Sequence, residues 1–111
     1  MDDATIDARI ATGKRYVLVH LLAGPTRDQD DASAARLQRE HLRYLFGLME
    51  SGALLINGPV LGGGALLGVS IYASEDVEAV RAIAEADPAV RAGRLRVEAF
   101  PWFGLPGSAL R

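Results

Sequence analysis

The chain of 111 residues contains no cysteine, which excludes disulfide bonds, thiol catalysis and metal sites built on thiolates. It also lacks an excess of positive charge. Its formal charge is −2, so neither nucleic acid nor an acidic membrane is an expected partner. No stretch approaches the roughly 20 apolar residues of a membrane span, and residues 1–13 lack the hydrophobic run of a signal peptide. We therefore expect a cytoplasmic protein with a single domain.

Hydrophobic periodicity and turn residues predict four strands and two main helices. The predicted strands cover residues 16–23, 54–60, 65–73 and 94–101, and the first helix covers residues 33–51. Ser74 is predicted to cap the second helix, and Asp87-Pro88 opens a further short helical turn that Gly93 closes. These elements define a domain at residues 15–103, between an N-terminal leader (1–14) and a C-terminal tail (104–111).

The order strand, helix, strand, strand, helix, strand is typical of a ferredoxin-like α+β fold, the split βαβ arrangement (βαββαβ). In that fold two helices cover one face of a four-stranded antiparallel sheet. The strand at residues 16–23 is apolar on both sides, so the sheet face without helices is predicted to be an exposed apolar surface. The simplest cover is a second copy related by a twofold axis. We therefore expect a homodimer or a higher homo-oligomer.

His41 is the strongest candidate for a functional residue. The first predicted helix has one apolar stripe, formed by Ala34, Leu37, His41, Tyr44, Leu45 and Leu48. An imidazole thus occupies a core position where leucine would pack better, and it needs a hydrogen-bond partner there. A backbone carbonyl as partner would make His41 structural. A histidine can also take up and return a proton near neutral pH, which general acid–base catalysis requires.

Other residues are candidates for substrate binding or for structural roles. Tyr44 lies one turn from His41 on the same helix face, and Ser70 lies on the third strand. Gly58-Pro59 either ends a strand or lets backbone N–H groups approach a ligand. His20, in the first strand, is expected to be a core or interface residue. The chain has no pair of histidines at helical spacing, so we expect no metal and no cofactor.

Three stretches of the chain resemble landmarks of the YciI-like (YCII-related) family. They are HLRYLFGLMESGALLINGP at residues 41–59, Ala86-Asp87-Pro88-Ala89-Val90 with Gly93, and Glu98-Ala99-Phe100-Pro101-Trp102. The resemblance extends over about residues 15–103, with the landmarks in the family's order. The chain departs from the family pattern between Val60 and Gly68. There, LGGGALLG lacks the acidic or polar residues often found in that loop.

The resemblance implies a dimeric α/β barrel of the muconolactone-isomerase-like superfamily, with a pocket between helix and sheet or inside the barrel. Similar members are proposed to use a His–Asp pair, and a few act on chlorinated or oxygenated aromatic metabolites. Carried over to this chain, the pair is His41 and Asp87. From the residues alone, Asp87 is a helix cap before proline. In the implied pair it would fix the tautomer of His41 and stabilise the imidazolium.

Two functions follow as alternatives. In the first, His41 and Asp87 serve a cofactor-independent isomerase, lyase (such as a dehydrochlorinase) or hydrolase that acts on a small cyclic or aromatic metabolite. The lack of a basic cluster argues against phosphorylated or large polyanionic substrates. In the second, the chain is a non-catalytic dimeric domain that binds a small ligand or acts as an accessory module, and the pair is structural. A ligand-sized cavity beside His41 favours the first function, and a dry, filled contact favours the second.

Overall fold

The computed structural model describes residues 1–111 and contains four helices and four strands. In chain order they are α1 (Asp3–Ala11), β1 (Lys14–Ala23), α2 (Asp31–Glu50), β2 (Leu54–Pro59), β3 (Leu66–Tyr72), α3 (Val77–Glu85), α4 (Pro88–Arg91) and β4 (Leu95–Gly104). None of the four helices combines the length and the apolarity that crossing a membrane requires. From β1 onward the order is the predicted βαββαβ, with the short α4 inserted before β4.

The four strands form one antiparallel sheet in the order β2-β3-β1-β4. In the register of this sheet, Val19 of the central strand β1 lies opposite Ser70 of β3 and Ala99 of β4. The two edge strands are thus β2 and β4, and the first and third strands are paired between them. This topology is the ferredoxin-like arrangement, and the predicted fold class is confirmed.

α2, α3 and α4 pack on one face of the sheet, and the core lies between these helices and the sheet. The side chains buried there include Val17, Val19, Leu45, Leu54, Tyr72, Val80, Ala84 and Ala99. Successive strand residues point to opposite faces, so Leu18 and His20 of β1 lie on the other side. We call that side, which no helix of this chain covers, the open face. It carries Leu18 and His20 of β1, Val69 and Ile71 of β3, and Phe100 of β4.

Carboxylates, rather than hydroxyls, cap the main helices. Asp30 Oδ1 accepts the backbone N–H of Ser33 at 2.7 Å at the start of α2. At the start of α3, Asp76 Oδ1 accepts the N–H of Ala79 at 3.0 Å, so the prediction that Ser74 caps this helix is wrong. Ser74 Oγ instead accepts the N–H of Asp76 at 3.1 Å and closes the turn that precedes the helix.

The two ends of the chain contain more regular structure than the sequence predicted. Residues 3–11 form α1, which Asp2 caps and which buries no residue. Strand β1 begins at Lys14, two residues before the predicted start, and therefore offers partners to the end of β4. Lys14 pairs with Gly104 and Tyr16 with Trp102, so that β4 continues beyond the predicted end at residue 101.

Candidate active site

His41 lies in the middle of α2, on the helix face that packs towards the sheet. It is 8% exposed, and the two other buried residues of this helix, Leu37 and Leu45, lie one turn before and one turn after it. The spacing of four residues on each side is that of a single helix face. The structure therefore places the imidazole inside the protein, as the apolar stripe predicted.

Asp87 is the hydrogen-bond partner of His41. The imidazole Nδ1 lies 2.5 Å from Asp87 Oδ2, and the carboxylate is 1% exposed. The other oxygen, Oδ1, accepts the backbone N–H of Ala89 at 2.9 Å and so caps α4. One carboxylate thus makes both of the contacts considered from the sequence, the helix cap and the pair with His41. Because a carboxylate has no proton to give, Nδ1 carries the hydrogen of this bond.

A cavity of about 210 Å³ opens beside His41. It lies between α2, the end of β2, the start of β3 and the start of β4, and its lining includes Leu21, Leu37, His41, Gly58, Pro59 and Leu67. The second ring nitrogen of His41, Nε2, makes no hydrogen bond within the protein. Every fully buried side-chain nitrogen or oxygen atom has a hydrogen-bond partner, so Nε2 is not fully buried. The cavity is the open space that the His41 side chain lines.

The four residues predicted to bind substrate fall into two groups. Gly58 and Pro59, at the end of β2, line the cavity. Ser70 and Tyr44 lie outside its lining. Ser70 is 1% exposed, and its hydroxyl donates to Asn57 Oδ1 at 3.0 Å. The Tyr44 hydroxyl donates to the carbonyl of Ile83 at 2.7 Å and ties α2 to α3.

Two tyrosines pack behind the His41–Asp87 pair and remain neutral. Burial raises the pKa of Tyr44, and the negative charge of Asp87 adds to that rise. Burial also raises the pKa of Tyr72 to about 12, with smaller contributions from Tyr44 and Asp87. A phenol with a raised pKa is a poor source of phenolate at neutral pH. His41 is consequently the group in this part of the core that is suited to accept a proton.

Four polar residues of the cavity were not predicted from the sequence: Arg27, Gln38, Asn57 and Arg94. Asn57 lines it next to Gly58, and it receives the Ser70 hydrogen bond described above. Arg27, from the loop after β1, and Arg94, just before β4, also line it, and the backbone N–H of Arg94 donates to the carbonyl of Ala89 at 3.0 Å. Asn57 stands directly before the Gly-Pro signal, which could have identified it. The two arginines correct the prediction of a cavity without a basic cluster, since residues 67 positions apart come together.

The second histidine is remote from this cavity. His20 lies on the open face, where its ring centroid is 5.0 Å from that of Phe100. The structure contains no group of three His, Asp or Glu side chains with the geometry to hold a metal ion. The proton-transfer chemistry available at the site is that of the imidazole, the carboxylate behind it and the polar groups that line the cavity.

The match to protein families agrees with this fold. Residues 18–102 match the model of the YCII-related domain, which covers most of the chain. The protein therefore belongs to the YCII-related domain family. No curated protein matches the chain.

A solved structure is also similar to this chain. It is the 5-chloro-2-hydroxyhydroquinone dehydrochlorinase (TftG) from Burkholderia phenoliruptrix AC1100, in complex with 2,5-dihydroxybenzoquinone. The TM-score is 0.56 and the sequence identity is 23%, over 78% of this chain and 92% of that chain. At this identity the similarity shows a shared fold.

Proposed function

We propose that the protein is a cofactor-independent enzyme that moves a proton on a small cyclic or aromatic metabolite. The observation that supports this function is the placement of His41, which contacts a buried carboxylate on one side and lines a cavity of about 210 Å³ on the other. A cavity of about 150 Å³ is enough to hold benzene, so one substituted ring fits here. A purely structural His–Asp pair needs no cavity beside it, and the enzyme is therefore favoured over a non-catalytic binding domain.

His41 acts as general base and then as general acid. With its hydrogen on Nδ1 and donated to Asp87, the neutral ring presents the lone pair of Nε2 to the cavity. A substrate proton moves to Nε2, and the carboxylate 2.5 Å from Nδ1 stabilises the imidazolium that forms. Returning the proton at a different atom of the substrate completes an isomerisation. In an elimination, the electrons of the broken bond to hydrogen form a double bond as the leaving group departs, and His41 then returns the proton to the leaving group or to solvent. In a hydrolysis, the proton that Nε2 takes comes from a water molecule whose oxygen attacks the substrate, and it is returned to the leaving group.

Elimination of hydrogen chloride is the first reaction to test. The similar structure is that of a dehydrochlorinase, and the cavity here accepts a single ring. In such an elimination the proton goes to Nε2 of His41 and chloride leaves with the electron pair of the carbon–chlorine bond. No oxidant or reductant is consumed, which agrees with a site made of an imidazole and a carboxylate.

The test compares the wild-type protein with a variant that keeps the pair but loses the base. In His41→Asn the side-chain amide can still donate to Asp87, whereas the nitrogen that faces the cavity is gone. Chloride release from 5-chloro-2-hydroxyhydroquinone and from a panel of chlorinated and unchlorinated hydroxyquinols should fall by about a hundredfold or more, the usual contribution of a general base. His20→Asn on the open face is the matched control. Turnover that survives in His41→Asn would refute the proposal.

We also propose that two copies associate through the open face. Phe100 and Trp102 of β4 are 37% and 39% exposed there, beside Leu18 and Ile71. Burial of apolar area contributes about 25 cal/mol per Å², so a face of this composition is stabilised when a second sheet covers it. The antiparallel sheet has one face packed on its helices, whereas on the other face only the chain end at residues 105–110 lies near Tyr16, Ile71 and Trp102.

A charge placed on the open face should disrupt this association. We expect sedimentation velocity at micromolar concentration to show a dimer for the wild-type chain and a monomer for Leu18→Lys. Ile10→Lys, on the exposed α1 helix where Ile10 is 54% exposed, should remain dimeric. A wild-type monomer, or a Leu18→Lys dimer, would show that the open face is not the interface.

A further inference from the structure

We propose that the cavity beside His41 takes a ring compound with a negatively charged substituent, most simply a carboxylate, which Arg27 and Arg94 hold. This inference rests on the proposed function, because the bound anion would present its ring to His41. It adds a substrate class to that function, since a site of His41 and apolar residues would not distinguish a charged ring from a neutral one.

The two arginines occupy one side of the cavity, and the backbone fixes that arrangement. The backbone N–H of Gly24 donates to the carbonyl of Arg94 at 2.9 Å, and Arg27 Nη1 donates to the same oxygen at 2.5 Å. Gly93, which precedes Arg94, has a φ of 77°, a left-handed conformation that glycine adopts without strain. The loop after β1 is thereby held against the start of β4, and both arginines line the same cavity.

Each guanidinium retains most of its hydrogen-bonding capacity. Arg94 Nη1 donates to Gln29 Oε1 at 2.8 Å, and Gln29 Nε2 in turn donates to the carbonyl of Thr26 at 3.0 Å. A guanidinium carries five N–H donors, and each of the two arginines uses one of them within the protein. The groups are therefore positioned, yet free to bind a carboxylate through paired N–H bonds.

No carboxylate of the protein neutralises the two arginines. The four ion pairs of the structure involve other residues, and no acidic side chain lines the cavity. Asp30, in the same loop as Arg27, caps α2, and Asp87 is engaged by His41 and by the N–H of Ala89. Two arginines in the lining of a small cavity attract an anion, and the apolar residues of the same lining suit a ring.

Binding of benzoate and of its neutral isostere benzamide tests this inference without any need for turnover. Each compound is titrated into the wild-type protein at constant ionic strength, and the ring signals of His41 are followed by NMR. We expect benzoate to bind with a dissociation constant about tenfold or more below that of benzamide, the range of one charge-assisted hydrogen bond. Arg27→Gln and Arg94→Gln should each abolish that preference, while Arg91→Gln, an exposed arginine outside the cavity, should keep it.

The outcomes separate the anion site from the catalytic proposal. Equal affinities for the two compounds, no response of His41 to benzoate, or a preference that survives both arginine substitutions would overturn the anion site. Arg94→Lys gives a second check, since a retained preference for benzoate shows that the charge, and not a change of fold, is responsible. The titration is repeated in His41→Asn, with a backbone amide signal of Gly58 as the probe. We expect this variant to keep the arginine-dependent preference for benzoate, whether or not the wild-type protein turns over any substrate.

Discussion

Asp87→Asn should lower the turnover number by about ten-thousandfold while leaving the fold intact, the size of effect seen when a catalytic histidine is held in the wrong tautomer. The reason lies in the two contacts of this carboxylate. Oδ1 accepts the N–H of Ala89, and Oδ2 accepts the Nδ1 hydrogen of His41. Asparagine has a single oxygen, and the helix cap requires it. The amide NH₂ then faces Nδ1 of His41 and donates to it.

That reversal changes the chemistry of the cavity side of the ring. When Nδ1 accepts a hydrogen bond, the neutral imidazole carries its hydrogen on Nε2, and the nitrogen exposed to substrate is no longer basic. Ring ¹⁵N NMR distinguishes the two tautomers directly, and steady-state kinetics measures the loss of turnover. A variant that shows the changed tautomer together with reduced turnover supports the positioning role of Asp87.

Asp76→Asn is the matched control for this substitution. Asp76 caps α3 through the N–H of Ala79, is exposed and makes no contact with a histidine. The same chemical change there should affect neither the His41 tautomer nor turnover. If Asp87→Asn also leaves both unchanged, Asp87 is a helix cap whose contact with His41 does not serve catalysis.

The sequence predicted the order of elements because local signals define them. The apolar run of β1, the apolar stripe of α2 and the Asp87-Pro88 start of α4 are each recognisable within a few residues. The burial of His41 follows from the same stripe. Its partner does not, since 46 residues separate His41 from Asp87, and only the family resemblance indicated the pair.

The remaining residues of the site depend on tertiary geometry that periodicity does not encode. Tyr44 follows His41 by three residues on the same helix, yet this offset turns its hydroxyl towards Ile83 of α3 and away from the cavity. Arg27 and Arg94 lie in a loop and at a strand start, where no regular period applies. Their meeting is set by the β1–β4 register and by the turn at Gly93.

His41→Leu should destabilise the protein by about 3 kcal/mol, even though leucine suits the apolar stripe better. The substitution removes the only side-chain donor to Asp87 Oδ2 and leaves a carboxylate that is 1% exposed without its partner. In the double variant His41→Leu/Asp87→Asn the buried charge is gone and the cap of α4 can be kept. We expect it to recover about 2 kcal/mol of that loss, since an unpaired neutral amide costs less than an unpaired charge.

Urea unfolding of the wild type, both single variants and the double variant at one protein concentration measures this coupling. Arg39→Leu, at an exposed residue of the same helix as His41 that makes no ion pair, should stay within about 0.5 kcal/mol of the wild type. A His41→Leu protein as stable as the wild type would show that the pair contributes nothing to folding.

His41→Asn, which keeps a donor to Asp87, should unfold close to the wild type yet lose turnover. If the histidine were retained only for structure, the asparagine would likewise satisfy Asp87, but turnover would stay unchanged.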